Sequence, residues 1–159
     1  MDFFYPNRTN MMWEIMGLVF FSDARHLIDK NTNIFNQPLI VEMLNKHGIA
    51  IFDTACAVRR LSGNASDKDL QVVEKTDIPA LLASIPLCHD IVCTGQKSFS
   101  VLSEDYGVPI PAMGTHNEFV LERREMRLWR MPSSSRAYPM PLQKKAEYYR
   151  RMAEEIGLF

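Results

Sequence analysis

Apolar positions along the chain recur at two spacings. Met12, Ile15, Met16 and Val19 follow the helical period behind Thr9 and Asn10, either of which can cap, so a helix is predicted over 10–21. Residues 1–9 are aromatic and extended, with Pro6 as a breaker, and the polar, Asn-rich stretch 22–37 predicts a loop with a short helix near 23–29. Pro38 opens a helix that runs through Asn45 and stops at Gly48. IAIFDTA (49–55) reads as a buried strand, and AVRRLSGNASDKDL after it as a long polar loop in which Ser66-Asp67 looks like a cap.

Asp77 caps a predicted helix from Ile78 to Ser84, and HDIVCTG (89–95) is a second buried strand ending in glycine. QKSFSVLSEDYG (96–107) is predicted helical, with Phe99, Leu102 and Tyr106 on one side. Beyond the proline-broken GVPIPAMG, EFVLER and MRLWRM form a predicted hairpin turning near Arg124-Glu125. The last helix runs from about Pro141 to Ile156, with Leu142, Ala146, Tyr149, Ala153 and Ile156 as its apolar stripe and Lys144, Lys145, Arg150 and Arg151 largely off it. Strands alternating with helices predict an α/β fold with a mostly parallel sheet. If the strands are parallel, the polar loops 56–69, 95–97 and 131–138 share the rim where such folds bind ligands. No repeat or low-complexity segment interrupts the chain, so a single domain over 1–159 is expected.

Composition narrows this picture. The 159 residues, 47% hydrophobic and 23% charged, suit a globular domain with a real core. The net charge is −1, yet Arg123 to Arg151 holds nine Lys/Arg and two acids, a balance of +7. The remainder is then −8, an asymmetry that fits either a basic face meeting an anionic partner or a solvated helix flanked by a charged hairpin. The three cysteines (Cys56, Cys88, Cys93) form no C-x-x-C pair and the four histidines have no metal spacing, so neither a metal nor an iron–sulfur cluster is expected. Buried free thiols point to a reducing, cytoplasmic setting. MMWEIMGLVFF (11–21) carries Glu14 and is shorter than a membrane span, so no membrane partner is expected. Nothing calls for an oligomer, and a monomer is expected.

The chemistry centres on WRMPSSSRAYPMP (129–141), where a strand runs into a proline, three serines and an arginine. Prolines 132, 139 and 141 keep it irregular, so it is either a plain surface loop or a loop that something anionic lies across. MPSSSRAYPMPLQKKAEYYRRM resembles the closing motif of thymine-DNA glycosylases and mismatch-specific uracil-DNA glycosylases, members of the uracil-DNA glycosylase superfamily. Three other segments agree in order: FFYPNRTNMMWEIM, with Tyr5, Pro6, Asn10 and Trp13 on matching positions, FDTACAVRRLSGNASDKDL, and VCTGQKSFSVL. The resemblance covers most of the chain, and the closing loop is its most specific part.

The resemblance implies a three-layer α/β/α sandwich and hydrolysis of the N-glycosidic bond of a deaminated or mismatched base (uracil, hypoxanthine or thymine) during base-excision repair. Such enzymes flip the base out of the duplex and fill the gap with a wedge loop. By the same resemblance Ser133, Ser134, Ser135 and Arg136 approach DNA, Lys144 and Lys145 reach phosphates, and no cofactor is needed. Tyr5 is either a platform for the flipped base or a core aromatic beside Phe3 and Phe4. Asn10 is either a helix cap or a base-pocket group, Asn64 and Asp67 belong to the pocket rim or simply to a turn, and His116-Asn117 reads as a turn.

One departure matters. The family's first strand, and the loop whose asparagine positions the attacking water, precede the Tyr-Pro stretch, and only four residues precede Tyr5 here. No catalytic residue is therefore assigned, and the chain is expected to lack the natural beginning of such a protein. The alternative is an inactive relative that binds DNA, duplex or single-stranded, or a free base. A small-metabolite enzyme is a third reading, but neither a G-x-G-x-x-G nor a P-loop pattern supports it.

Overall fold

A computed structural model of the chain describes residues 3–60 and 70–159. It is mixed α/β and divides into two compact units. One comprises the chain up to Phe52 together with Met131–Phe159, and the other is Asp53–Arg130.

The first unit is helical. Helix α1 (Met12–Phe21) packs against helix α5 (Leu142–Ile156), burying Trp13, Ile15 and Val19 on one side and Tyr149, Met152 and Ala153 on the other. A Cβ at Gly17 would run into the carbonyl oxygen of Asp23, so only glycine lets the 22–24 turn close over α1. Helix α2 (Gln37–His47) begins where the Asn36 side chain accepts from Leu39 N at 3.2 Å, with Pro38 in its first turn, and ends at Gly48 in the left-handed region (φ 66°). These are the start and stop signals its sequence carries. The short helix expected near 23–29 is instead a run of turns, closed by an antiparallel bridge between Ile28 and Phe35.

The second unit holds the strands. β1 (Ala55–Arg60) pairs antiparallel with β2 (Leu70–Lys75). This corrects the sequence reading, which put the strand at 49–55 and a loop at 56–69: a strand in a two-stranded ribbon is selected by its partner as much as by its own pattern. Helix α3 (Ile78–Ser84) is capped by the Asp77 side chain, which accepts from Ala80 N at 3.0 Å. β3 (Asp90–Cys93), helix α4 (Gln96–Tyr106), β4 (His116–Leu121) and β5 (Arg124–Arg130) follow.

β5 is the centre of a three-stranded sheet in the order β3-β5-β4, parallel to β3 and antiparallel to β4. The expectation of a mostly parallel sheet is thus corrected to a mixed one. The physical reason is the two-residue connection at Glu122-Arg123, which permits only an antiparallel return. That turn lies two residues earlier than the sequence suggests, and both residues have positive φ (50° and 63°). One sheet face carries Met126, Leu128 and Cys93 against Phe99 and Leu102 of α4 and Leu82 of α3. On β3, the Asp90 carboxylate takes Arg127 through two oxygens (2.6 and 3.0 Å) and the Trp129 indole at 2.8 Å. The Arg124 guanidinium donates to the carbonyls of Leu82, Ile85 and Cys88, closing the C-terminal end of α3. Among the described residues no helix is long and apolar enough to cross a membrane.

Candidate nucleic-acid interface

The serine loop lies in the helical unit and is held through its backbone. The Tyr149 hydroxyl donates to Pro132 O at 3.0 Å, Met11 N to Ser134 O at 2.7 Å, and the Lys145 ammonium to Ser135 O at 2.7 Å. Arg136 N donates to Thr9 O at 2.9 Å, and Asn10 and Ser135 form an antiparallel bridge. Within the loop, Ser133 Oγ accepts from Ser135 N at 3.2 Å and Ser135 Oγ from Ala137 N at 3.3 Å. A hydroxyl that accepts in this way still carries a proton to donate. Ser134 is buried, Ser133 and Ser135 are half-buried, and Arg136 is exposed. The loop is therefore a built element, fastened on one side to α5 and on the other to the 9–11 segment.

Lys145 departs from expectation. Its side chain is fully buried, over the Tyr138 ring at 5.5 Å and 3.8 Å from the Met11 sulfur. Burial first, then the charge of Arg136, pull its ammonium below the ordinary lysine value. A direct phosphate contact by Lys145 is thus corrected to a structural role under the loop. The signal was present in the sequence: Lys145 stands four residues before Tyr149 and eight before Ala153, on the buried stripe rather than off it. Lys144 is exposed, 3.8 Å from Glu147 and over the Tyr148 ring at 5.9 Å.

Arg136 is exposed but engaged. Its Nη2 reaches Glu14 Oε2 at 3.1 Å and Arg8 O at 3.0 Å, and its Nε reaches Arg8 O at 3.3 Å. Arg8 Nη2 takes Glu14 Oε1 at 3.0 Å. Glu14, a buried carboxylate, thus sits between two guanidinium groups. Arg8 and Glu14 were not singled out from the sequence as site residues. A lone Glu inside MMWEIMGLVFF was the available clue, because a buried charge requires a partner.

Tyr5 is half-buried with φ 50° and meets Trp13 edge-on at 6.0 Å, while Phe3 stacks on the same indole at 5.5 Å. Asn10 Oδ1 accepts from Met12 N at 2.9 Å, a local side-chain turn one residue ahead of Met11, the N-cap of α1. Tyr5 and Asn10 therefore share the Trp13 end of α1 with the serine loop. Asn64 and Asp67 lie outside the described residues. Among the described residues no three His, Cys, Asp or Glu side chains gather as a metal site would require. Comparison with family models, with curated proteins and with solved structures matches none of them to this chain.

Proposed function

We propose that this chain is a DNA glycosylase-like protein of the uracil-DNA glycosylase type, whose serine loop approaches DNA at a deaminated or mismatched base. The observation that carries the reading is the fastening of Pro132–Arg136 by Tyr149, Met11 and Lys145, which leaves Ser133 and Ser135 half-buried and Arg136 exposed. A loop that enters a stack must not collapse when it meets the bases, and backbone anchoring supplies that stiffness. Small hydroxyl side chains permit close approach to phosphate, and arginine adds charge. Tyr5, four residues before the segment that holds the loop and braced edge-on by Trp13, suits stacking on an unpaired base. In the reaction, the bond from the base nitrogen to C1′ breaks, water adds to C1′, and the departing base takes up a proton, leaving an abasic site.

The runner-up is a binder of DNA or free base without chemistry. It is favoured by Glu14, the carboxylate of this site, whose two oxygens are both engaged by guanidinium groups. Oligonucleotides carrying uracil, hypoxanthine or a G·T pair, incubated with the protein and then cleaved with alkali, separate the readings. Strand breaks at the modified base establish the glycosylase. Salt-dependent binding without breaks establishes the binder, and the absence of both breaks and binding rejects the DNA reading altogether.

A further inference from the structure

We propose that Arg25, together with Arg8, Arg136 and Asn33, forms a second contact for the DNA backbone, taking a phosphodiester beside the one that meets the serine loop. The inference rests on the DNA reading above and adds Arg8, Arg25 and Asn33, which that reading does not use.

The argument starts in the polar turn before α2. Asp29 Oδ1 accepts from Asn31 N (2.8 Å) and Thr32 N (3.0 Å), and Asp29 O accepts from Asn33 N at 2.8 Å. This winding leaves Asn33 in the left-handed region (φ 57°), which asparagine tolerates better than most residues. Its carbonyl and its Oδ1 then both accept from Arg8 Nη1, each at 3.0 Å, and Oδ1 also takes Arg25 Nη2 at 2.8 Å. Two guanidinium groups thus converge on one neutral oxygen. Arg8 continues to Glu14, which it shares with Arg136.

The charge balance of this chain of contacts is uneven: three guanidinium groups meet one carboxylate. The other acids of the segment are committed to backbone amides, Asp29 as described and Asp23 through Arg25 N at 2.9 Å. Donor capacity is also left over. Arg25 is exposed and uses one side-chain N–H among the described residues. Guanidinium forks held in place at low entropic cost, with unspent donors and a single carboxylate as their direct ion-pair partner, match the two-oxygen geometry of a phosphodiester.

The test measures the affinity of the full chain for a uracil-containing duplex over a range of salt concentrations. Arg25→Ala is expected to weaken binding roughly ten-fold near physiological salt and to lower the salt slope by about 1, with Lys46→Ala on α2 as an exposed control that changes neither. Asn33→Asp places a carboxylate between Arg8 and Arg25. It is expected to raise the melting temperature while weakening binding, a split that a purely structural network would not produce. Wild-type binding with an unchanged Arg25→Ala affinity and slope overturns the proposal and leaves the serine-loop reading standing. Absence of any salt-dependent binding by the wild type overturns both.

Discussion

The ammonium of Lys145 donates to the carbonyl oxygen of Ser135 at 2.7 Å from a position closed to solvent. A lysine that looks like a phosphate ligand in the sequence is instead the prop beneath the loop. Its desolvation has a consequence for pH dependence. The folded protein lowers the Lys145 pKa below the ordinary 10.5, so the buried charge costs stability at neutral pH. As pH rises from the folded value toward 10.5, the folded chain releases the proton before the unfolded chain does, and the cost disappears. Unfolding in urea at neutral and alkaline pH should therefore show the stability of wild type rising relative to Lys145→Met. A difference that stays flat with pH would mean that the amine is not desolvated.

Glu14 holds Arg8 and Arg136 together, with side-chain exposures of 10%, 30% and 47% respectively. Glu14→Gln keeps the shape and removes the charge, leaving two guanidinium groups sharing a neutral amide. Because both arginines are partly solvated, the expected loss is about 1–3 kcal/mol rather than the larger cost of a fully buried pair. Equilibrium denaturation measures it, and a stability equal to wild type would show that solvent already screens the cluster.

Gly17 offers a case where helix propensity and packing disagree. Alanine in a helix is worth roughly 1 kcal/mol over glycine. At this site the added Cβ meets the backbone oxygen of Asp23, which cannot move aside as a flexible side chain could. Gly17→Ala should destabilise by about 1–3 kcal/mol. A rise in melting temperature would mean that the 22–24 turn relaxes freely.

Glu122 and Arg123 form the β4–β5 turn with φ of 50° and 63°. L-residues in the left-handed region cost roughly 1–2 kcal/mol each, and Asn-Gly suits such a turn. Replacing the pair by Asn-Gly should stabilise the protein by about 1–2 kcal/mol in total. If the denaturation midpoint falls instead, one of the two side chains makes a contribution that outweighs its backbone strain.

Much of the helical framework was legible because its signals are local. Asp77 before Ile78, Pro38 at the start of α2 and Gly48 at its end act on backbone groups within a few residues. The strand that forms at Ala55–Arg60, rather than at 49–55, was not legible, since its partner β2 lies across the segment 61–69. Sheet polarity was partly legible: the alternation of strands and helices pointed to parallel pairing, found between β3 and β5, and the hairpin could be read, but the antiparallel β1–β2 ribbon went beyond both patterns.

The site divides in the same way. By itself the sequence determined that a serine-proline loop leaves a strand ahead of a basic amphipathic helix. Only the tertiary structure decided which charges face solvent. Lys145 and Lys144 are adjacent in the chain, yet one is sealed under the loop and the other is exposed. Glu14 meets Arg136 across a separation of 122 residues. Desolvation and ion pairing depend on which surfaces come together, and for these residues the surfaces are supplied from opposite ends of the chain.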